Sequence, residues 1–298
     1  MRAYGFTADG EGFMELPVPE PGPDELLVRV DAAGVNPGDW KVRDGAYGIP
    51  PPAVLGRECA GTVVGIGDDV RGFAEGDEVF GGNPGMVGGW AEFALVTASF
   101  AALRPEGVAP ETVAVLPVAA GTAFDALAEL DLPAGATLLV NGAGGGVGVA
   151  AVQLAAARGL RVVGTASPGK HELIARFGGV PVAYGDGVVE RIRAAAPDGI
   201  DAVFDLAGGD ALRTVASLVA DPARLRSVAD HALVTELGGR AVERNRTTAV
   251  LTELARLVAA GTLDPHVTEV YPFDEAGAAL AAVESGHATG KVAIRISG

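Results

Sequence analysis

Leu138-Leu139-Val140-Asn141-Gly142-Ala143-Gly144-Gly145-Gly146-Val147-Gly148-Val149-Ala150-Ala151-Val152-Gln153-Leu154-Ala155 decides the fold. A short apolar run ends in a glycine cluster, and an alanine-rich helical pattern follows at once. The pattern predicts a strand, a tight turn and a helix N-terminus. Glycines allow positive φ in such a turn and let a ligand approach the backbone closely. The helix start offers unpaired N–H groups and the positive end of its dipole, which together suit a pyrophosphate.

Two glycine registers fit, Ala143-x-Gly145-x-x-Gly148 and Gly142-x-x-Gly145-x-x-Gly148. With 44 glycines in the chain, the pattern by itself also describes a flexible loop. The preceding strand, the following helix and a second strand, Leu160-Arg161-Val162-Val163-Gly164-Thr165, make it the dinucleotide-binding turn of a Rossmann unit. Ala143, Gly144, Gly145, Gly146 and Val147 are then the residues facing the cofactor phosphates. An NAD site carries Asp or Glu about 20 residues further on, bonded to the ribose 2′-hydroxyl. Here the strand runs into Thr165-Ala166-Ser167-Pro168-Gly169-Lys170, with hydroxyls and a cation but no acid. That set suits a 2′-phosphate, and the expected cofactor is NADPH. Lys170 is one of only three lysines, with Lys41 and Lys291. The alternative for it is a solvated loop charge.

The 298 residues suffice for two domains with cores of their own. A net charge of −16 disfavours nucleic acid and anionic membranes as partners, and also serves plain solubility. Cys59 is the only cysteine, so neither an intrachain disulfide nor a cysteine-based zinc site is expected. Residues Met1-Arg2-Ala3-Tyr4-Gly5-Phe6 do not open a signal peptide, and no apolar run is read as reaching the ~18–20 residues that span a bilayer. The reading is a soluble, cytoplasmic protein.

Residues 1–117 read as β-rich, with short apolar runs at 25–30, 60–67 and 77–80 and a proline-rich loop holding Pro17, Pro19, Pro21 and Pro23. From 118 to 265 strands and helices alternate. Strands are expected at 137–141, 160–165, 180–184, 200–206 and 225–229, and helices at 147–158, 169–177 and 246–260. That alternation predicts a parallel sheet with both faces covered. A tail from 266 to 298 carries strands at 267–271 and 291–296 around a helix at 274–284, and is expected to return to the β-rich domain.

Val30-Asp31-Ala32-Ala33-Gly34-Val35-Asn36-Pro37-Gly38-Asp39-Trp40, Leu55-Gly56-Arg57-Glu58-Cys59-Ala60-Gly61-Thr62-Val63, Gly76-Asp77-Glu78-Val79, the glycine turn and Ser285-Gly286-His287-Ala288-Thr289-Gly290-Lys291-Val292 follow one another in an order and spacing that resembles the medium-chain dehydrogenase/reductase superfamily. Within it the chain is similar to the zinc-independent quinone oxidoreductase and enoyl reductase group. The resemblance covers nearly the whole chain. It implies an α/β fold, with a Rossmann-type doubly wound parallel sheet domain plus a GroES-like β-rich domain and an active cleft between the two. Zinc-dependent members carry Cys where Asn36 stands and His where Arg57 stands. Neither residue here is a zinc ligand, and His171, His231, His266 and His287 show no ligand spacing, so no metal is expected.

The same resemblance assigns site residues. Asn36 holds the nicotinamide ribose or the substrate oxygen; as a bare sequence element it is equally a turn residue before Pro37. Tyr47 occupies the place of a tyrosine that enoyl reductases hold near the reacting bond, where a phenol of ordinary pKa near ~10 can give a proton to an enolate; the alternative is an aromatic pocket wall. Thr122 matches a position near the nicotinamide. Tyr184 matches a tyrosine packed against the adenosine 2′-phosphate and completes a set with Ser167 and Lys170; Thr165, at the end of the same strand, is also expected to face the cofactor. Leu206 and Ala207 end a strand at the cofactor edge. Lys291 either faces the cofactor cleft or makes a salt bridge at a strand start.

Without a metal to polarise a simple ketone, the natural hydride acceptors are quinones and α,β-unsaturated carbonyl compounds. The leading expectation is an NADPH-dependent reductase of such small molecules. The alternatives are a 2-enoyl thioester reductase of fatty acid or polyketide assembly, and a non-catalytic NADPH-binding sensor or crystallin-like protein. Related enzymes pair sheet edges as homodimers, and the segment 225–240 is the expected contact.

Overall fold

The computed structural model describes residues 1–286 and 288–297. His287, one of the histidines weighed above, lies outside the described residues. The chain divides into two compact units: residues 1–118, 246–260 and 265 onward form one, and 119–245 with 261–264 form the other.

In the second unit six parallel strands lie in the spatial order Gly179–Ala183, Arg161–Ala166, Thr137–Asn141, Ala202–Asp205, Leu225–Ser227 and Arg240–Ala241. Chain order reverses between Thr137–Asn141 and Ala202–Asp205, which makes their carboxyl ends the switch point of a doubly wound sheet. Every residue of Thr137–Asn141 is buried, as a parallel strand covered on both faces requires. Leu139, Val163, Ile192, Val203, Leu212 and Val234 share one apolar core.

Two strands stop earlier than the hydropathy pattern suggests. Ala202–Asp205 ends because the Asp205 carboxylate accepts the N–H groups of Ala207 and Gly208 and turns the chain. Leu225–Ser227 ends where the Ser227 hydroxyl accepts from Ala229 and Asp230. The helix expected over 169–177 begins as a tight 3-10 turn, Pro168–Lys170, before the α-helix His171–Arg176.

The first unit is built on a seven-stranded sheet. Its order is Val267–Pro272, Lys291–Arg295, Glu25–Val35, Glu58–Ile66, Glu78–Gly82 and Ala101–Leu103, with Phe93–Thr97 also paired to Glu25–Val35. The strand Lys291–Arg295 runs antiparallel to Glu25–Val35, with Val292 opposite Val35. An opening hairpin, Arg2–Thr7 with Gly10–Glu15, was not legible in its mixed composition. Gly5 is required there, because a Cβ would lie 2.0 Å from the Ala53 carbonyl oxygen. The helix Thr248–Ala259, grouped by sequence with the dinucleotide-binding segment, belongs to this unit instead. Its first turn is tied down by the Thr248 hydroxyl donating to the Ala98 carbonyl at 3.2 Å.

One expectation about apolar runs is corrected. The helical stretch Pro110–Leu130 is long and apolar enough to cross a membrane by length and composition. Its most apolar window is 78 % buried inside the protein, which accounts for the apolarity as core packing.

Candidate active site

The glycine turn is built as its sequence demands. Gly142 takes φ +95°, a left-handed conformation that costs other residues more. Gly145 caps the helix Gly146–Ala157. A Cβ at Gly148 would lie 2.6 Å from the Ala143 backbone, so its absence lets the helix close onto the turn. A Cβ at Gly145 would meet nothing within 4 Å, leaving that backbone open to an incoming group. The first N–H groups of the helix have no intrahelical acceptor. Together these features fit a dinucleotide phosphate.

Behind the turn lies a polar network that sequence reading missed, apart from Thr165. The Thr165 hydroxyl accepts from Gly142 N at 2.9 Å and donates to Asn141 Oδ1 at 2.8 Å. Asn141 Nδ2 donates to Asp205 Oδ1 at 2.8 Å, and the Ser227 hydroxyl donates to Asp205 Oδ2 at 2.7 Å. Thr165 is therefore buried under the turn, with its hydroxyl engaged both as donor and as acceptor. Leu206 and Ala207 follow directly, with Leu206 N donating to the Asn141 carbonyl and Ala207 N to Asp205 Oδ1. A polar residue closing each of three buried strands was the available signal.

The residues assigned to the 2′-phosphate lie at neighbouring strand ends. Ala166 pairs with Ala183, so Ser167 and Tyr184 each stand one residue beyond the same register step. Lys170 returns toward the turn, and its stem covers Gly144, where a Cβ would sit 2.5 Å from Lys170 Cδ. Partial burial lowers the Lys170 pKa. Tyr184 is 65 % exposed. Its loop is held by Arg191, which donates to the carbonyls of Ala183, Tyr184, Gly185 and Asp186. Nothing in the spacing singled out Arg191. Thr122 is buried in the first turn of the helix Gly121–Leu130.

In the first unit Asn36 caps the short helix Pro37–Arg43, and Asp39 reaches back to accept from Asn36 N at 2.7 Å. The Asn36 amide is itself enclosed. Its Oδ1 accepts from Lys291 Nζ at 2.5 Å and its Nδ2 donates to Glu58 Oε1 at 2.7 Å. Lys291 also donates to the Val35 carbonyl and to Glu58 Oε1, at 3.0 and 3.2 Å. These three bonds engage all three ammonium hydrogens. Lys291 makes a salt bridge with Glu58 at the strand start. Glu58 is fully buried and its second oxygen accepts from Val118 N. Gly34 opposite has no room for a side chain, since a Cβ would lie 2.2 Å from Glu58 Oε1.

Tyr47 is 45 % exposed, and the Arg57 guanidinium lies 4.9 Å from its ring centroid. Arg57 Nε and Asp39 Oδ1 are buried without hydrogen-bond partners among the described residues. Burial pushes the Asp39 carboxyl up to about 7, against the opposing pull of the Asn36 N–H and of Arg57. The first unit thus holds an exposed phenol beside a guanidinium, and a buried amide–ammonium–carboxylate cluster.

Two family models match the chain: the alcohol dehydrogenase GroES-like domain over residues 22–106 and the zinc-binding dehydrogenase over residues 180–294. The chain is 31 % identical to 2-methylene-furan-3-one reductase of Solanum lycopersicum, over 99 % of this chain and 79 % of that protein. It is 32 % identical to the chloroplastic NADPH-dependent alkenal/one oxidoreductase of Arabidopsis thaliana, over 93 % of this chain and 73 % of that one. The quinone oxidoreductase of Coxiella burnetii superposes with a TM-score of 0.89 at 26 % identity, covering 100 % of this chain and 99 % of the other.

A GroES-like β domain and a doubly wound dinucleotide-binding sheet define the class, and the chain belongs to the medium-chain dehydrogenase/reductase superfamily. It is an oxidoreductase. The second family model carries zinc in its description, but the donor set here does not fit that metal. Among the described residues no group of three or more His, Cys, Asp or Glu is gathered. A guanidinium and an amide stand at positions 57 and 36, and the ammonium of Lys291 sits against Glu58.

Proposed function

We propose that this protein uses NADPH to reduce a small quinone or an α,β-unsaturated carbonyl compound. The observation that carries the reading is the strand-end grouping of Ser167, Lys170 and Tyr184, with no carboxylate between Thr165 and Lys170. A hydroxyl and a cation match a 2′-phosphate, whereas an acid there would repel it. The names of the two plant relatives, an NADPH-dependent alkenal/one oxidoreductase and a furanone reductase, support the same chemistry.

NADPH supplies a hydride when bound. The protein's part is to hold and to polarise. Backbone N–H groups of Gly144, Gly145, Gly146 and Val147 take the pyrophosphate, with Ala143 beneath them and Leu206 and Ala207 beside them. Ser167, Lys170 and Tyr184 take the 2′-phosphate, and Thr122 lines the nicotinamide end. Asn36, its amide oriented by Lys291 and Glu58, offers one remaining N–H. Tyr47 supplies a phenolic proton to an enolate, with Arg57 beside it stabilising developing negative charge.

The test is NADPH consumption at 340 nm against benzoquinone, naphthoquinone, small enones and enoyl thioesters, with NADH as the control. Turnover of quinones or enones with NADPH preferred supports the reading. Turnover confined to enoyl thioesters moves the substrate to acyl assembly. NADPH binding without any turnover favours a sensor. A preference for NADH removes the roles given to Ser167 and Lys170. The parallel sheet ends on the two-residue strand Arg240–Ala241, and we propose that a second copy adds at this edge as a homodimer, which light scattering checks.

A further inference from the structure

Asp205 is fully buried at the end of the strand Ala202–Asp205, with every bond to its carboxylate coming from a donor. Oδ1 accepts from Asn141 Nδ2, Ala207 N and Gly208 N, and Oδ2 from Gly208 N and Ser227 Oγ. Among the described residues no salt bridge reaches it. Such a group is held by oriented dipoles alone. Its neighbours belong to three adjacent strand ends and to the loop that follows it.

The bonds also have a direction. An acceptor-only carboxylate forces the Asn141 amide to turn its NH₂ toward Asp205. Asn141 Oδ1 must then face Thr165, so the Thr165 hydroxyl hydrogen points to Asn141. That leaves the Thr165 lone pairs for Gly142 N, the first donor of the glycine turn. One charge thereby sets the polarity of a chain four residues long, and the chain terminates on the residue with φ +95° that opens the phosphate turn.

We propose that Asp205 is a positioning residue for the dinucleotide, fixing the glycine turn through Asn141 and Thr165 in its phosphate-receiving shape before the cofactor arrives. This rests on the reading above that the turn binds NADPH. Asp205 touches no part of the cofactor in this account. It sets the orientation of Gly142 and of the loop Leu206–Gly208, on the two sides of the switch point. Asn at 205 has one acceptor where the carboxylate has two: with its oxygen toward Asn141, its NH₂ faces Gly208 N and the Ser227 hydroxyl; with its NH₂ toward Asn141, either two NH₂ groups face one another or the Asn141 amide flips and the Thr165 hydroxyl hydrogen loses its acceptor. A buried donor without an acceptor is costly, and the cheapest relief is movement of the turn.

The experiment is a binding measurement that needs no turnover. NADPH affinity is read by fluorescence, and adenosine 2′-monophosphate affinity by calorimetry, for wild type, Asp205→Asn, Asn141→Asp and the double variant. Adenosine 2′-monophosphate carries the 2′-phosphate but nothing for the glycine turn. Asp205→Asn is expected to weaken NADPH about tenfold, with the nucleotide monophosphate unchanged. The double variant restores a donor opposite an acceptor at position 141 but takes the acceptor away from Ala207 N and Gly208 N, so it is expected to recover only part of the loss. If Asp205→Asn binds NADPH as wild type does, or weakens both ligands alike, the proposal is overturned. If that variant does not fold, Thr165→Val decides: it cuts the same chain at its other end, and unchanged NADPH affinity there overturns the proposal as well. A wild-type protein that binds no NADPH overturns the parent reading instead, before any variant is made.

Discussion

The Lys291 ammonium lies 3.2 Å from Glu58 Oε1, with the two side chains 5 % and 0 % exposed. A buried pair of this kind gains little over an apolar pair but loses much when one partner goes, because the other charge stays desolvated. Lys291→Met is expected to cost about 3–5 kcal/mol in chemical denaturation. Adding Glu58→Gln removes the stranded charge and should restore a large part of that stability. If the single and double variants unfold at the same denaturant concentration, the pair is not the source of the loss.

Asp39 gives the fold a pH dependence with a defined sign. Burial raises its folded-state pKa from 3.8 to about 7, with Arg57 and Lys291 opposing and Glu58 assisting. Between these two values the folded protein binds the proton that the unfolded chain has lost. Stability from this group is therefore present at low pH and disappears as pH rises through about 7. The contribution between pH 5 and pH 8 is about 2–3 kcal/mol at most. Asp39→Asn keeps an acceptor for Asn36 N and should flatten the stability profile over that interval. A variant profile parallel to that of wild type would exclude Asp39 as its origin.

Lys170→Met tests the cofactor preference directly. The aliphatic stem over Gly144 is retained by methionine and only the charge is removed. NADPH affinity should fall about tenfold, the scale of a lost charge-assisted hydrogen bond, while NADH affinity stays the same. Equal losses for the two nucleotides would assign Lys170 to packing.

Cys59 is the only cysteine, is fully buried, and has its thiol pushed up to about 12 by burial. A thiol rather than a thiolate reacts slowly with disulfide reagents. Native protein at pH 8 should release no chromophore from such a reagent over minutes, and one equivalent on unfolding. Rapid reaction in the native state would mean that the strand Glu58–Ile66 opens locally.

The dinucleotide-binding sheet was readable because buried parallel strands are continuous apolar runs, and the turn between the first strand and its helix can be made only with glycines at particular places. Ser167 and Lys170 followed from the same regularity, since strand ends fall at predictable positions, whereas Tyr184 was assigned through the family resemblance. The network behind the turn was less accessible. Asn141, Asp205 and Ser227 are separated by 64 and 22 residues and meet only because their strands are adjacent in the sheet. Asn36 and Lys291 stand 255 residues apart and join for the same reason. The helix Thr248–Ala259 carries the same amphipathic signal whichever unit it packs against, and that is why its allegiance could not be read from its own residues. The opening hairpin lacks alternation strong enough to announce a strand.

The contact between Gly34 and Glu58 links the histories of two strands. A methyl group at position 34 would occupy the space of a Glu58 oxygen, 2.2 Å away. Any lineage that enlarges residue 34 must first shorten residue 58, and shortening residue 58 strands the lysine at 291. The three positions are therefore expected to drift as a unit or stay fixed, so that substitution at one is tolerated only on a background where the other two have already changed.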